Sequence, residues 1–155
     1  MADKDRDERL DRNWNELLQE LRVAQTGVQI LSGFLLTLPF SPKFGDLAES
    51  RQNVYVAILL TAITATLLLL SPVALHRALF HRHQRPWLVQ AAHYLSRAGL
   101  VLLAAANVGV VWLIVDTVVD STAAAIAAAV LAGLTTVVWL VIPAWVLLRH
   151  RSAES

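Results

Sequence analysis

The chain has 155 residues, 56% of them apolar and only 16% charged, against about 25% charged in soluble domains, so the balance points to a protein that faces lipid. A net charge of +1 is too small to argue for a nucleic-acid partner. The absence of cysteine removes disulfides, thiolate nucleophiles and thiolate metal sites.

From the N-terminus, about twenty residues of mixed sign precede the first apolar run, and no small-residue cleavage pattern follows it. That run is expected to stay in the membrane and not to be removed as a signal peptide. Between Asp7 and Arg22, Leu10, Trp14, Leu17, Leu18 and Leu21 form an apolar stripe at helical spacing, with charge on the opposite face. The pattern predicts an amphipathic helix, either lying in the membrane interface with Trp14 as anchor or extending the first span as a soluble, packed segment.

A hydrocarbon core about 30 Å thick needs roughly 20 helical residues to cross it. Four segments meet that demand, at about 21–40, 54–75, 95–115 and 122–148. The expected fold is all-α, a four-helix transmembrane bundle with an amphipathic N-terminal interfacial helix. It divides into a charged N-terminal segment over 1–20, a membrane domain over 21–148 and a short tail over 149–155. A second stripe, Trp87, Leu88, Ala91, Ala92 and Leu95, follows Pro86, whose fixed φ suits a first helical turn, so helix three is expected to begin outside the lipid core. Prolines in Ser71-Pro72-Val73 and Ile142-Pro143-Ala144 give spans two and four a weak likeness, compatible with a duplicated hairpin or with coincidence.

Of the 13 Lys and Arg residues, only Lys43 and Arg51 fall in the loop after span one. The rest precede span one or sit at its boundary (Arg22), lie between spans two and three or in the first turn of span three (Arg97), or follow span four. Because basic residues are retained on the cytoplasmic side, both termini and the middle loop are expected in the cytoplasm.

The polar residues of the spans are the candidates for chemistry. Gln25, Gln29 and Ser32 recur at helical spacing on span one and are expected to point inward, with Asn107 of span three as a hydrogen-bonding partner. They serve either as helix-to-helix glue or as a polar path for an ion or water. Ala57, Thr61 and Ala65 in span two, and Ala125, Ala129 and Gly133 in span four, are small residues four apart that allow close helix approach, within the bundle or between protomers. Asp46, Glu49, Asp116 and Asp120 fall on the outer side, as attractors of cations at a pore mouth or, for Asp120 or Ser121, as the cap of helix four. Asp116 is the acid nearest the membrane and the first choice for a functional carboxylate.

His76, Arg77, His81, Arg82, His83 and Arg85 combine three His with three Arg and no acid. Zinc sites recruit carboxylates, thiolates or helically spaced His pairs, so this cluster is read as a solvated flank touching anionic lipid headgroups. His76, Arg77 and Arg82, with Trp14 and Trp87, are the expected interface residues. All five His residues, including His93 and His150, lie on the side assigned to the cytoplasm, so no pair inside the bundle is placed to ligate haem. No catalytic, cofactor-binding or metal site is predicted, and no nucleophile-and-base pair or phosphate-cradling loop occurs.

The run from Glu20 to Leu31 (ELRVAQTGVQIL), then Leu36-Thr37-Leu38-Pro39-Phe40, then Ser71-Pro72-Val73-Ala74-Leu75-His76-Arg77, resembles a family of small bacterial four-span membrane proteins of unknown function. The likeness covers about 20–116, and the first motif is its most specific part. Some members carry a sodium/proton antiporter label. The resemblance implies the fold and supplies no mechanism. Proton-coupled exchange calls for an Asp or Glu facing a cavity within the membrane, and the four span interiors contain none.

The leading expectation is therefore a non-enzymatic accessory or scaffold protein, without cofactor, that acts on membrane lipids and on other helices as a homo-oligomer or within a larger membrane complex. The alternative is an oligomeric monovalent-cation or proton channel or transporter built on the polar face of span one, Asn107 and Asp116. The topology has a direct check, since the chain lacks cysteine: an impermeant thiol reagent outside intact cells should modify Ser41→Cys and spare Gln84→Cys. Modification of the second alone reverses the orientation.

Overall fold

Apolar stretches of this length become helices because a chain in hydrocarbon must satisfy its own backbone N–H and C=O groups. The computed structural model describes residues 2–79 and 85–153. It contains α1 (Ala2–Thr37), α2 (Glu49–Leu79), α3 (Arg85–Val118), α4 (Ser121–Thr136) and α5 (Ile142–Ala153), the last two joined by a π turn over Val137–Val141. Among the described residues there is no strand. Among the described residues, four segments are long and apolar enough to cross a membrane: Leu21–Phe40, Glu49–Leu75, Gln90–Val118 and Ser121–Trp145. They overlap the four expected spans, the second and third each starting five residues further upstream and the fourth ending at Trp145.

α1 runs without interruption through the junction of amphipathic segment and span. Thirty-six residues at 1.5 Å each make a rod about 54 Å long, well beyond the hydrocarbon thickness. The hydrogen bonding runs unbroken from residues 2–20 into span one.

The chain divides into two compact units, Met1–Leu103 and Ala104–Ser155. In the first, α1 and α2 pack along a seam with a 3.5-residue period. α2 buries Tyr55, Ile58, Ala62, Ala65, Leu69 and Pro72, alternating steps of three and four, and α1 buries Leu21, Val28 and Leu35 at steps of seven. Half-buried Gln25 and Ser32 fill the intervening seam positions of α1. That period keeps one face of each helix against its neighbour. It also corrects two expectations. Gln29 is off the seam and exposed, and of the stripe Ala57, Thr61 and Ala65 only Ala65 is buried, because a seam at 3.5-residue spacing drifts away from residues four apart.

The start of α3 joins this unit through small residues. Ala92, Ser96 and Gly99 are buried, and a Cβ at Gly99 would lie 2.8 Å from Leu69 Cγ and 3.3 Å from the carbonyl oxygen of Ala65. Glycine is what lets the two backbones approach here. The loop after α1 tightens into 3₁₀ turns at Leu38–Phe40 and Pro42–Phe44, each with a proline in its first turn. It is tied down by Tyr55, whose hydroxyl donates to the Leu35 carbonyl and whose ring meets Phe44 edge-on at 4.9 Å.

In the second unit, α4 buries Ala124, while Ala125, Ala129 and Gly133 are exposed. The two span prolines are accommodated differently. Pro72 sits inside an otherwise regular α2. Pro143 cannot donate to the carbonyl four residues back, and its ring would collide with it; upstream the helix widens, so that Ile142 N–H donates five residues back to Val137 O.

Gly99→Val should lower the thermal stability of the detergent-solubilised protein by about 1–3 kcal/mol, the usual range for overpacking. Gly133→Val, where a Cβ meets nothing within 4 Å, should change it little. Equal effects at the two positions would refute the close approach at Gly99.

Candidate functional site

Burying a side-chain amide in hydrocarbon without a partner costs several kcal/mol, so the placement of each polar group in the spans is informative. Gln25 Nε2 donates to the carbonyl oxygen of Leu69 at 2.9 Å. Leu69 lies in the turn preceding Pro72, whose missing N–H would have served the Leu68 carbonyl. On either side of that carbonyl, Leu69 O accepts from Gln25 of α1 and Leu67 O accepts from Ser71 Oγ at 2.7 Å. Gln25 thus pairs with a main-chain carbonyl of α2. Asn107 itself is exposed on the second unit's part of α3.

The hydroxyls follow a different rule. Thr26, Thr61, Thr66, Ser96, Thr117 and Thr135 each donate to the carbonyl four residues back in their own helix, which removes them from inter-helix chemistry. Ser32 departs from it: its Oγ is buried without a hydrogen-bond partner. Gln29 departs in the other direction. It is exposed, and no hydrogen bond joins its amide to the described residues. Counting 1.5 Å per residue from Leu21 and from Phe40, the ends of the span, it lies about 12 Å from one end and about 16 Å from the other. Thus Gln25, Gln29 and Ser32, one group by sequence spacing, separate into a proline-turn clamp, an outward amide and an unpaired seam hydroxyl.

At the other end, Asp116 is 6% exposed and accepts a hydrogen bond from Ser121 Oγ at 2.7 Å. Asp120 adopts extended backbone and accepts from Ala123 N–H at 2.8 Å, capping α4. The cap is therefore Asp120. Asp116 secures the α3–α4 turn through Ser121. Asp46 and Glu49, exposed, belong to the other unit.

Between α3 and α4, a cavity of about 470 Å³ is lined by Ala104, Ala105, Val108, Gly109 and Trp112 on one side and Ala128, Ala132, Thr135 and Thr136 on the other. Both threonine hydroxyls are bonded to their own helix, so the walls are effectively hydrocarbon. Of the expected interface residues, Arg77 is exposed at the end of α2. The side chains of Trp14, His76 and Trp87, and all of Arg82, lie outside what the structure describes. An interfacial pair was missed by the sequence reading: Arg149 stacks over Trp145 at 3.9 Å, a cation–π contact whose signal was the spacing of four between an aromatic and a cation.

These features define a multi-pass membrane protein in which most described hydroxyls close on their own helices and a few groups, Gln25 and Tyr55 among them, join one helix to another. The profile of the DUF6328 family, a family of unknown function, matches residues 3–143, and the chain belongs to that family. No curated protein and no solved structure matches the chain.

Gln25→Leu should destabilise the solubilised protein by about 0.6–2 kcal/mol, the usual worth of such a contact between membrane helices. Ser32→Ala should be neutral or stabilising, since it deletes a buried hydroxyl that has no partner. Thermal unfolding of both variants in one detergent checks the pair, and the opposite order would contradict these roles.

Proposed function

We propose that the protein is a non-enzymatic accessory or scaffold subunit of the bacterial plasma membrane, with both termini in the cytoplasm, and that it acts through helix and lipid contacts. The observation that carries this reading is Gln29. Its amide stands near the middle of span one, directed away from the seam that holds α1 to α2, where only another membrane-embedded group can satisfy it. Thr26 and Gly33 lie beside it on the same exposed face. A helix presenting an amide and a glycine at mid-membrane is built to be touched by another helix.

The competing function, an oligomeric cation or proton channel or transporter, would draw on Gln25, Asn107 and Asp116. Gln25 is engaged with Leu69 O and Asp116 with Ser121, uses that favour structural roles. The orientation rests on the uneven distribution of Lys and Arg, and the lipid contacts on the basic flanks together with the Trp145–Arg149 pair.

Two measurements separate these functions. Native mass spectrometry from membranes should find it in a defined complex, and proteoliposomes should carry no Na⁺, K⁺ or H⁺ above empty vesicles. A flux abolished by Asp116→Asn would defeat the accessory reading.

A further inference from the structure

We propose that the outward face of span one is a homodimer interface, in which Gln29 pairs with Gln29 of a second copy across a two-fold axis along the membrane normal. This deepens the accessory reading and rests on it for the role of the face, but names the partner.

Depth and charge complementarity select a second copy. Gln29 lies too far from either end of the span for its side chain to reach the headgroups. Copies inserted with the same topology hold Gln29 at the same depth, so each meets its counterpart by construction. A primary amide carries its own complement of partial charge, a carbonyl acceptor beside two N–H donors. Two such groups related by a two-fold can satisfy each other, as an isologous interface requires.

The surrounding face permits the approach. Gly33, one turn further on, has nothing within 4 Å of where a Cβ would stand, leaving room for a second backbone. Thr26 and Thr37, also exposed on α1, donate to Arg22 O and Phe34 O in their own helix and do not compete for the amide. The face is separate from Leu21, Val28 and Leu35, so a dimer forms without disturbing α1 on α2. Phe34, 55% exposed, points elsewhere around the helix, because consecutive residues are about 100° apart.

Since the chain has no cysteine, single-cysteine variants give a clean test. Oxidation in native membranes should link Gly33→Cys into a dimer and leave Phe34→Cys monomeric. With fluorophore-labelled full-length chain in phospholipid vesicles, Gln29→Leu should raise the dimer dissociation constant roughly three- to thirty-fold, whereas Gln29→Asn should retain much of the association. Because Gln29 is off the seam, both variants should keep the unfolding temperature of the native monomer. Equal cross-linking at the two cysteines, an unchanged constant in Gln29→Leu, or a native chain that stays monomeric overturns the proposal. A monomer that still forms a stoichiometric complex with another identified membrane protein sinks the dimer and spares the accessory reading. A dimer whose cation flux vanishes in Asp116→Asn does the reverse.

Discussion

The hydrogen bond from Gln25 to the Leu69 carbonyl expresses the constraint under which this protein folds: hydrocarbon offers no water to complete an unfinished polar group. Beside Pro72, within a regular α2, the Leu69 carbonyl is offered to α1. Placing a glutamine of α1 opposite that carbonyl fixes the axial register of α1 on α2. With register fixed there, Tyr55 falls opposite Leu35 and anchors the loop at the other end, and the small side chains of α2 fall where Gly99 of α3 can approach. One amide-to-carbonyl contact thus selects one sliding position among several that apolar packing alone would tolerate.

The same constraint sorts the rest of the polar inventory. Hydroxyls close back on their own helices and leave the spans chemically quiet. Asp116 and Asp120 are spent on the turn between α3 and α4, one through Ser121 and the other through the first free N–H groups of α4. After these assignments, the Ser32 hydroxyl and the Gln29 amide stand out. One lies in the seam and the other on an exposed face of α1, and the second is the more consequential, because its satisfaction has to come from beyond the α1–α2 seam.

How much was legible in the sequence follows from which physical signals are one-dimensional. Span existence and length are, since they need only a charge-free run, and Leu21–Phe40 and the stretches after Glu49, Gln90 and Ser121 were visible for that reason. The cap at Asp120 was visible too, because capping is a local relation. Azimuth was harder. Gln25, Gln29 and Ser32 look like one face at a helical period of 3.6, but packing against a neighbour selects a period of 3.5 and divides them. The pairing of Gln25 with a main-chain carbonyl was hidden because any residue supplies a carbonyl, so no side-chain pattern could advertise it. Gly99 gave no sign of its importance for the same reason: what it touches is Leu69 and the backbone of Ala65, remote in sequence.

The π turn ahead of Pro143 has a consequence for how the last span can change. A π turn holds one residue more than the helix around it needs, which is how a helix absorbs an insertion without unfolding. The extra residue advances the helical phase by about 100°, so that Trp145 and Arg149 take their orientation from α5, independently of the row Ala125, Ala129 and Gly133 on α4. Packing surface and interfacial anchor on one span are thereby indexed separately. Either can drift in sequence while the other keeps its heading.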